Sequence, residues 1–296
     1  MSFLIFKSAV NHRAHFPMFN VKIGGKMNIA FWSIASGRSA TSCNMLAVSL
    51  MSTIAYSVKG TLVQIDQYSR ALDDVFGERR QTNLLMEEYS YYSKKGIDQL
   101  ADKCQLTDIN LNDLRENVIP VKDTEMNYVP VSKRTSIGID NREYVNFTKK
   151  MLAVLNLSEQ INFIDCINGE TPVSKAVLKA ADVVVINLCQ GMNNRTLDLD
   201  KDIAKKAFFL VGKYDESSRE NVAQIRQRYG IDRNNIAIIP YNIHFHDAVH
   251  EGKLVSYISK SINARDADDD DLTFINSVYL ATAMILRKAG YNENGY

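Results

Sequence analysis

The sequence predicts an α/β fold: a mainly parallel, doubly wound sheet with helices on both faces. Three observations carry this. Short apolar runs rich in Val, Ile and Phe alternate with stretches of helical period along the whole chain. Several runs, "DVVVINLC" above all, are apolar without alternation, as strands covered on both faces are. No internal repeat and no Gly-, Ser- or Pro-rich linker divides the chain, so residues 27–296 read as one domain behind an extension over 1–26.

Taken in order, Met27–Ser33 reads as a short buried strand and Asn44–Val58 as a helix with Ala47, Leu50, Met51 and Ile54 on one face. Gly60 is placed just past that helix as its closing residue. Thr61–Asp66, "TLVQID", is the second strand. "QTNLLMEEYSYYSKKGIDQLADKC" has a polar helical pattern, "MNYVPV" is a short strand, "REYVNFTKKMLAVLN" a helix and "INFIDC" a strand ending in aspartate. The second half repeats the rhythm. Helices are expected at "VSKAVLKAA", "DIAKKA" and "SSRENVAQIRQRYG", the last with serine at its start and glycine at its end. Strands are expected at "DVVVINLC", "AFFLVGKY" and "NNIAIIPYN". "FHDAVHEGKLVSYISK" is helical with a glycine interruption. Asp266–Asp271 reads as a solvated acidic loop near the last helix, "LTFINSVYLATAMILRKAG".

Composition narrows the function. The 296 residues are 46% hydrophobic and 23% charged, with a formal charge of +1. Neither a global basic field for nucleic acid nor an acidic excess for disorder is present, so DNA as a partner has no support beyond a local patch. Cys43, Cys104, Cys166 and Cys189 form no CxxC pair and read as free thiols of a reducing cytoplasm. His244, His246 and His250 are grouped, but no neighbouring carboxylate or cysteine pattern completes a metal site. No apolar run is long enough for a membrane span. Residues 1–26 carry basic and no acidic groups and lack a long apolar stretch, so the fold is expected to begin at Met27 behind a poorly ordered tail.

The chemistry concentrates in Phe31–Asn44, "FWSIASGRSATSCN". A strand, a turn of small residues and a helix start build a phosphate loop. Small residues let successive amides point at an anion, and the helix terminus adds partial positive charge. Such a loop also needs Ser or Thr for Mg²⁺ and a lysine for the β/γ-phosphates. Ser36, Gly37, Ser39, Ala40, Thr41 and Ser42 supply everything but the lysine.

This stretch resembles the start of the ParA/MinD-type P-loop ATPases, whose loop follows KGGxGKT. Aligned without gaps through Trp32-Ser33, the family's lysines fall at Ala35 and Ala40 and its threonine pair at Thr41 and Ser42. Shifted by two places, Arg38 takes the loop lysine, Ser39 the first threonine and Asn44 the helical asparagine. The first placement keeps the strand and turn length; in either, the lysine that reaches across the family's dimer is absent. Four later segments extend the resemblance. "VQIDQ" resembles the DxD after the second strand, which implies that Asp66 orients the attacking water, with Gln64 in place of the first aspartate. "NFIDCINGETPVSKAVLKAADVVVINLCQ" resembles IDxxxG…ADxVIxVxQ and implies Asp165 as the Mg²⁺-side aspartate, with Asp182 ahead of the next strand. "FFLVGKYD" resembles the strand that carries an asparagine near adenine, a place Gly212 holds here. "IAIIPYNIHFHDAVHEGK" resembles IPxxxxxxxAxxxGK, and implies that the backbone of Pro240 and Tyr241 edges the base.

The resemblance runs from about Met27 to Ala289. It implies a P-loop NTPase-like fold, ATP and Mg²⁺ as cofactors with ADP as product, a homodimer, a protein partner, and a bacterial cytoplasmic protein recruited to a pole or membrane-associated complex. The variant loop is similar to the TadZ/CpaE-like branch, which is implicated in placing pilus-assembly machinery. Those proteins commonly carry an N-terminal receiver-like domain, for which this chain leaves no room. Simpler readings stand beside these roles. Thr41 and Ser42 are ordinary helix-cap residues. Arg38 either faces phosphates or is a solvated loop residue. Lys213, Arg219 and Arg195 are strand-end surface charges or a recruiting patch. Trp32 reads as packing. Losing the lysine leaves amide binding intact but removes transition-state charge, so nucleotide binding with slow or absent hydrolysis is expected. The alternative is a pseudo-ATPase scaffold without nucleotide. A dinucleotide enzyme is disfavoured because no GxGxxG follows the first strand.

Overall fold

The computed structural model describes residues 26–35, 37–65, 72–76, 95–131, 141–158, 160–192, 197–263 and 268–291. Ser36, Asp66, Arg195, Asp266, residues 81–94 of the polar helical stretch and residues 1–25 of the extension lie outside them.

Strand β1, Met27–Trp32, sits inside an eight-stranded sheet. Its alternation sorts the core into two layers. Ile29 and Phe31 face one apolar cluster, and Ala30 and Trp32 face the other. Helix α1, Thr41–Tyr56, follows, then β2, Gly60–Gln64, and the short α2, Leu72–Phe76. Next come α3, Ile97–Leu106; α4, Leu111–Glu116; β3, Ile119–Pro120; β4, Met126–Tyr128; and α5, Asn141–Leu155. The second half runs β5, Ile161–Asp165; α6, Pro172–Ala180; β6, Val183–Leu188; α7, Lys201–Lys206; and β7, Ala207–Tyr214. It ends with α8, Val222–Tyr229; β8, Ile236–Pro240; α9, Ile243–Glu251; α10, Leu254–Asn263; and α11, Asp269–Lys288.

The strand order is β3-β4-β2-β5-β1-β6-β7-β8, parallel throughout except for the β3–β4 edge pair. Helices α1, α2, α9, α10 and α11 pack on one face of the sheet, and α3 to α8 on the other. The expected fold class is therefore the observed one. Because β1 lies between β5 and β6, the chain winds outward from it in both directions. In open α/β sheets ligands bind beyond the carboxyl ends at such a switch point.

Local chemistry explains most boundaries. Thr171 and Ser174 cap α6 reciprocally, with Pro172 at its first position. Asn221 and Gln224 do the same for α8, which Gly230 ends in the left-handed region. The cap of α8 is thus Asn221 and not a serine.

Two expectations are corrected. Gly60 does not close α1; Ser57, at φ 54°, does. Gly60 instead opens β2, where a Cβ would lie 2.8 Å from Met126 Sδ and 2.9 Å from the Ile161 carbonyl oxygen. The acidic run is not wholly a loop. Asp268 caps α11, accepting from the Asp271 amide at 2.7 Å, and Asp269, Asp270 and Asp271 form the helix's first turn. No helix among the described residues is long and apolar enough to cross a membrane.

Candidate functional site: the turn between β1 and α1

The turn after β1 is held from behind by polar groups at the carboxyl ends of β5 and β6. Asn168 Oδ1 accepts from the Ser33 amide at 3.1 Å and from the Thr41 hydroxyl at 3.4 Å. The Ser33 and Ser39 hydroxyls meet at 2.8 Å, and Ser33 Oγ also accepts from the Ala35 amide at 3.2 Å. Asn44 Nδ2 donates to the Ser39 carbonyl at 3.1 Å and to Asn187 Oδ1 at 2.8 Å. Asn187 in turn donates to the Trp32 carbonyl. Trp32 is buried and its indole donates to the Gly169 carbonyl at 2.9 Å, the packing role expected of it.

The front of the turn is different. Among the described residues, the amides of Gly37, Arg38, Ala40, Thr41 and Ser42 donate to no acceptor of the protein. The Asn44 amide donates to the Ala40 carbonyl at 2.8 Å, inside the first turn of α1. Ala40 caps the helix with no side-chain bond and has φ 53°. A left-handed alanine is strained by on the order of 1 kcal/mol. Gly37, at φ 73°, has open space where a Cβ would be. Left-handed residues next to right-handed ones turn successive amides to one side, the geometry that binds anions. Gly37 and Arg38 are exposed, while Ser39 and Thr41 are buried.

Asp165 ends β5 and is 1% exposed. The register sets it between Phe31 of β1 and Gln64 of β2. Its carbonyl accepts from the Ile65 amide at 2.8 Å, and the Ile65 carbonyl accepts from the Tyr144 hydroxyl at 2.8 Å. Asp66, expected to orient water, lies outside the described residues. A carboxylate this deep is costly unless its charge is compensated.

The other side of the turn is bounded by β6 and β7. Burial pushes the Cys189 thiol up; Arg38, a hydrogen bond with Ser39, and Lys213 oppose this, while Glu220 adds to it. Gly212 touches the turn directly: a Cβ on it would lie 2.5 Å from the Ser39 carbonyl oxygen and 2.5 Å from Asn44 Nδ2. Glycine here is demanded by the close approach of β7, so no asparagine fits. Pro240 ends β8 opposite Tyr214, and Tyr241 follows, 53% exposed, with its ring 6.3 Å from that of His246.

Sequence reasoning missed Asn168 and Asn187. The signal available was their place, just after or at the end of an apolar strand. The histidine grouping does meet carboxylates, from the acidic run: His244, Asp268 and Asp271 offer one ligand atom each within 4.8 Å of one another. Those groups already serve as a helix cap and an ion pair. Asp271 Oδ1 accepts from Asn242 at 2.8 Å, from Tyr257 at 2.8 Å, and faces His244 Nδ1 at 3.2 Å. A cleft of about 290 Å³ lined by Lys59, Thr61, Arg115 and Gln160 lies at the amino-terminal edge of the sheet, away from the turn.

No protein-family model matches this chain, and none of the curated proteins matches it. Solved structures do. A ParA family ATPase from Chlorobium tepidum aligns over 88% of this chain and 98% of its own, at 12% identity and a TM-score of 0.60. A Cyanothece McdA variant in complex with ATP, with alanine in place of one aspartate, aligns over 92% and 100%, at 13% identity and 0.60. The septum site-determining protein MinD from Pyrococcus horikoshii, complexed with Mg-ADP, aligns over 85% and 94%, at 16% identity and 0.55. At these identities the likeness concerns the fold, which is the α/β, P-loop NTPase-like fold of the ParA and MinD ATPases.

Proposed function

We propose that the chain is an ATP-binding switch whose phosphate loop works through main-chain amides without the usual lysine. The observation that carries this is the set of amides at Gly37, Arg38, Ala40, Thr41 and Ser42 that have no acceptor among the described residues, at the start of a buried helix beside the sheet's switch point. The residues present fit a triphosphate. The amides of Gly37, Arg38, Ala40, Thr41 and Ser42 would hold it, Ser39 and Ala40 being part of the same turn. Arg38, exposed on its rim, would offer a planar charge to the phosphates. Thr41 and the buried Asp165 would hold Mg²⁺, which supplies neutralisation of phosphate charge when bound. The Pro240–Tyr241 backbone would edge the base, and Asp66 would orient water. The solved MinD–Mg-ADP and McdA–ATP complexes of the same fold support the choice of nucleotide and metal.

The missing lysine sets the kinetics. One absent transition-state donor lowers rates by about 10²–10³, so hydrolysis is slow or absent. The protein then acts through occupancy: bound nucleotide favours a homodimer over residues 27–296 that recruits a partner in spatial positioning, with pilus assembly the assignment its TadZ/CpaE-like loop favours. Titration calorimetry with ATP and Mg²⁺ tests the reading, and absence of heat at protein concentrations of tens of micromolar contradicts it. The second reading, a scaffold without nucleotide, is favoured by Ala35, Ala40, Gln64 and Gly212 in place of family residues. A nucleotide-dependent change of oligomeric state excludes it.

A further inference from the structure

The cleft at the amino-terminal edge of the sheet has no part in the nucleotide reading, yet it is built like a ligand site. It encloses about 290 Å³, at the small end of ligand cavities. Its floor is the start of β2 with its two neighbours: Thr61 stands opposite Asn127 of β4 and Asn162 of β5. Its wall is α4 and the residues just after it, which present Leu111, Leu114 and Val118. That wall is fixed without a ligand. Asn110 caps α4, and Asn117 Nδ2 donates to the Asp113 carbonyl at 2.8 Å while Asn117 Oδ1 accepts from the Gly96 amide at 2.8 Å.

The polar groups of the cleft are left with donors to offer. The Thr61 hydroxyl donates to Gln160 Oε1 at 3.0 Å, which leaves Gln160 Nε2 with no acceptor among the described residues. The half-buried Asn127 side chain has no partner among them either. Two cations complete the lining. Lys59 is shared with Glu125 at 3.5 Å. Arg115 is exposed and has no ion pair among the described residues, and no carboxylate of theirs lines the cleft. One positive charge is therefore in surplus, carried by a planar fork whose geometry matches a carboxylate. We infer that this cleft binds a small aliphatic monocarboxylate, its carboxylate on Arg115 and its apolar body against Leu111, Leu114 and Val118. A phosphate dianion is the poorer match, because one surplus charge and three apolar side chains meet it. The cleft lies at the starts of β2 and β5, whereas Gln64 and Asp165 lie at their ends, so the inference stands or falls without the nucleotide reading.

The test titrates the full chain, without nucleotide, with isovalerate, a branched monocarboxylate that the volume admits, and follows the amide resonances of Thr61, Asn127 and Gln160 by NMR. Isovalerate is expected to shift them saturably at millimolar concentration. Isovaleramide, of the same shape but uncharged, is expected to bind about tenfold more weakly or worse. Arg115→Met keeps the stem and removes the charge at an exposed position, so its thermal melt is expected to match wild type while isovalerate weakens by about tenfold or more. Arg115→Lys is expected to restore part of the affinity, and Lys59→Met to cost less than Arg115→Met. Arg219→Met, at an exposed arginine between β7 and α8, is expected to change nothing. No shift at tens of millimolar, equal binding of isovaleramide, or undiminished binding to Arg115→Met overturns the inference. So does inorganic phosphate binding there as tightly as isovalerate, since the cleft would then select for charge alone.

Discussion

The two ends of β1 treat their polar groups in opposite ways. At the amino end everything is paired. The Asn28 amide donates to Asp182 Oδ2 at 2.8 Å, and the Asp182 amide returns a bond to the Asn28 carbonyl at 2.8 Å. The Asn28 side chain donates to Asn156 at 2.7 Å and accepts from Asn162 at 2.8 Å, while Asn162 also donates to the Leu155 carbonyl and Ser158. Beyond the carboxyl end, five amides have no acceptor among the described residues, and an alanine is held in a left-handed conformation. Buried polar groups are paired wherever structure alone is at stake. Open amides and strained backbone on one side of an otherwise well-bonded turn point to a ligand.

Damage at the two ends therefore has different consequences. Asn162→Ala removes the donor to three acceptors in a closed network. It is expected to cost about 3 kcal/mol in urea unfolding, with nucleotide affinity of the folded protein unchanged. Gly212→Ala drives a Cβ into the Ser39 carbonyl, for roughly 2 kcal/mol, and displaces the turn, so here nucleotide affinity falls together with stability. Ala40→Gly relieves the left-handed strain and is expected to gain about 0.5 kcal/mol, the relief being partly offset by the greater freedom of glycine in the unfolded chain. A loss would show that the turn's geometry is not strained.

The smallest effect lies far from both ends. The Asp271 hydrogen bond and charge hold His244 above its usual range. Burial works to raise Asp271, but bonds from Asn242, Tyr257 and His244 outweigh it and hold it below the usual range. The His244 contribution to stability is fully present below the unfolded value of 6.5 and is lost as pH rises through the raised folded value. The Asp271 contribution is present above 3.8 and is lost as pH falls through the lowered folded value. The difference in melting temperature between wild type and His244→Gln is therefore expected to be greatest near about pH 6 and to shrink toward about pH 8.5. A difference that grows with pH contradicts the pairing.

Much of the fold was legible locally. Runs such as "VVVINL" and "INFID" admit few alternatives to buried strands, and the helices between them carry their own caps, as Thr171 and Asn221 show. Misreadings came where a residue answers to a partner far along the chain. Gly60 looks like a helix stop, yet its reason is Met126 and Ile161. Gly212 was legible only as a departure from the family's asparagine; the reason for a glycine there is Ser39 and Asn44. The turn itself was readable from its small residues between an apolar strand and a helix. Its anchors, Asn168 and Asn187, were not, because they hold it across more than a hundred residues of sequence.

Hydrogen–deuterium exchange across residues 37–42, with and without ATP and Mg²⁺, tests the central claim most directly. Amides with no protein acceptor exchange fast in the free protein, and the account predicts that ATP protects them while the Asn28–Asn162 region stays protected throughout. Slow exchange in the free protein, or no change on adding ATP at saturating concentration, would contradict it.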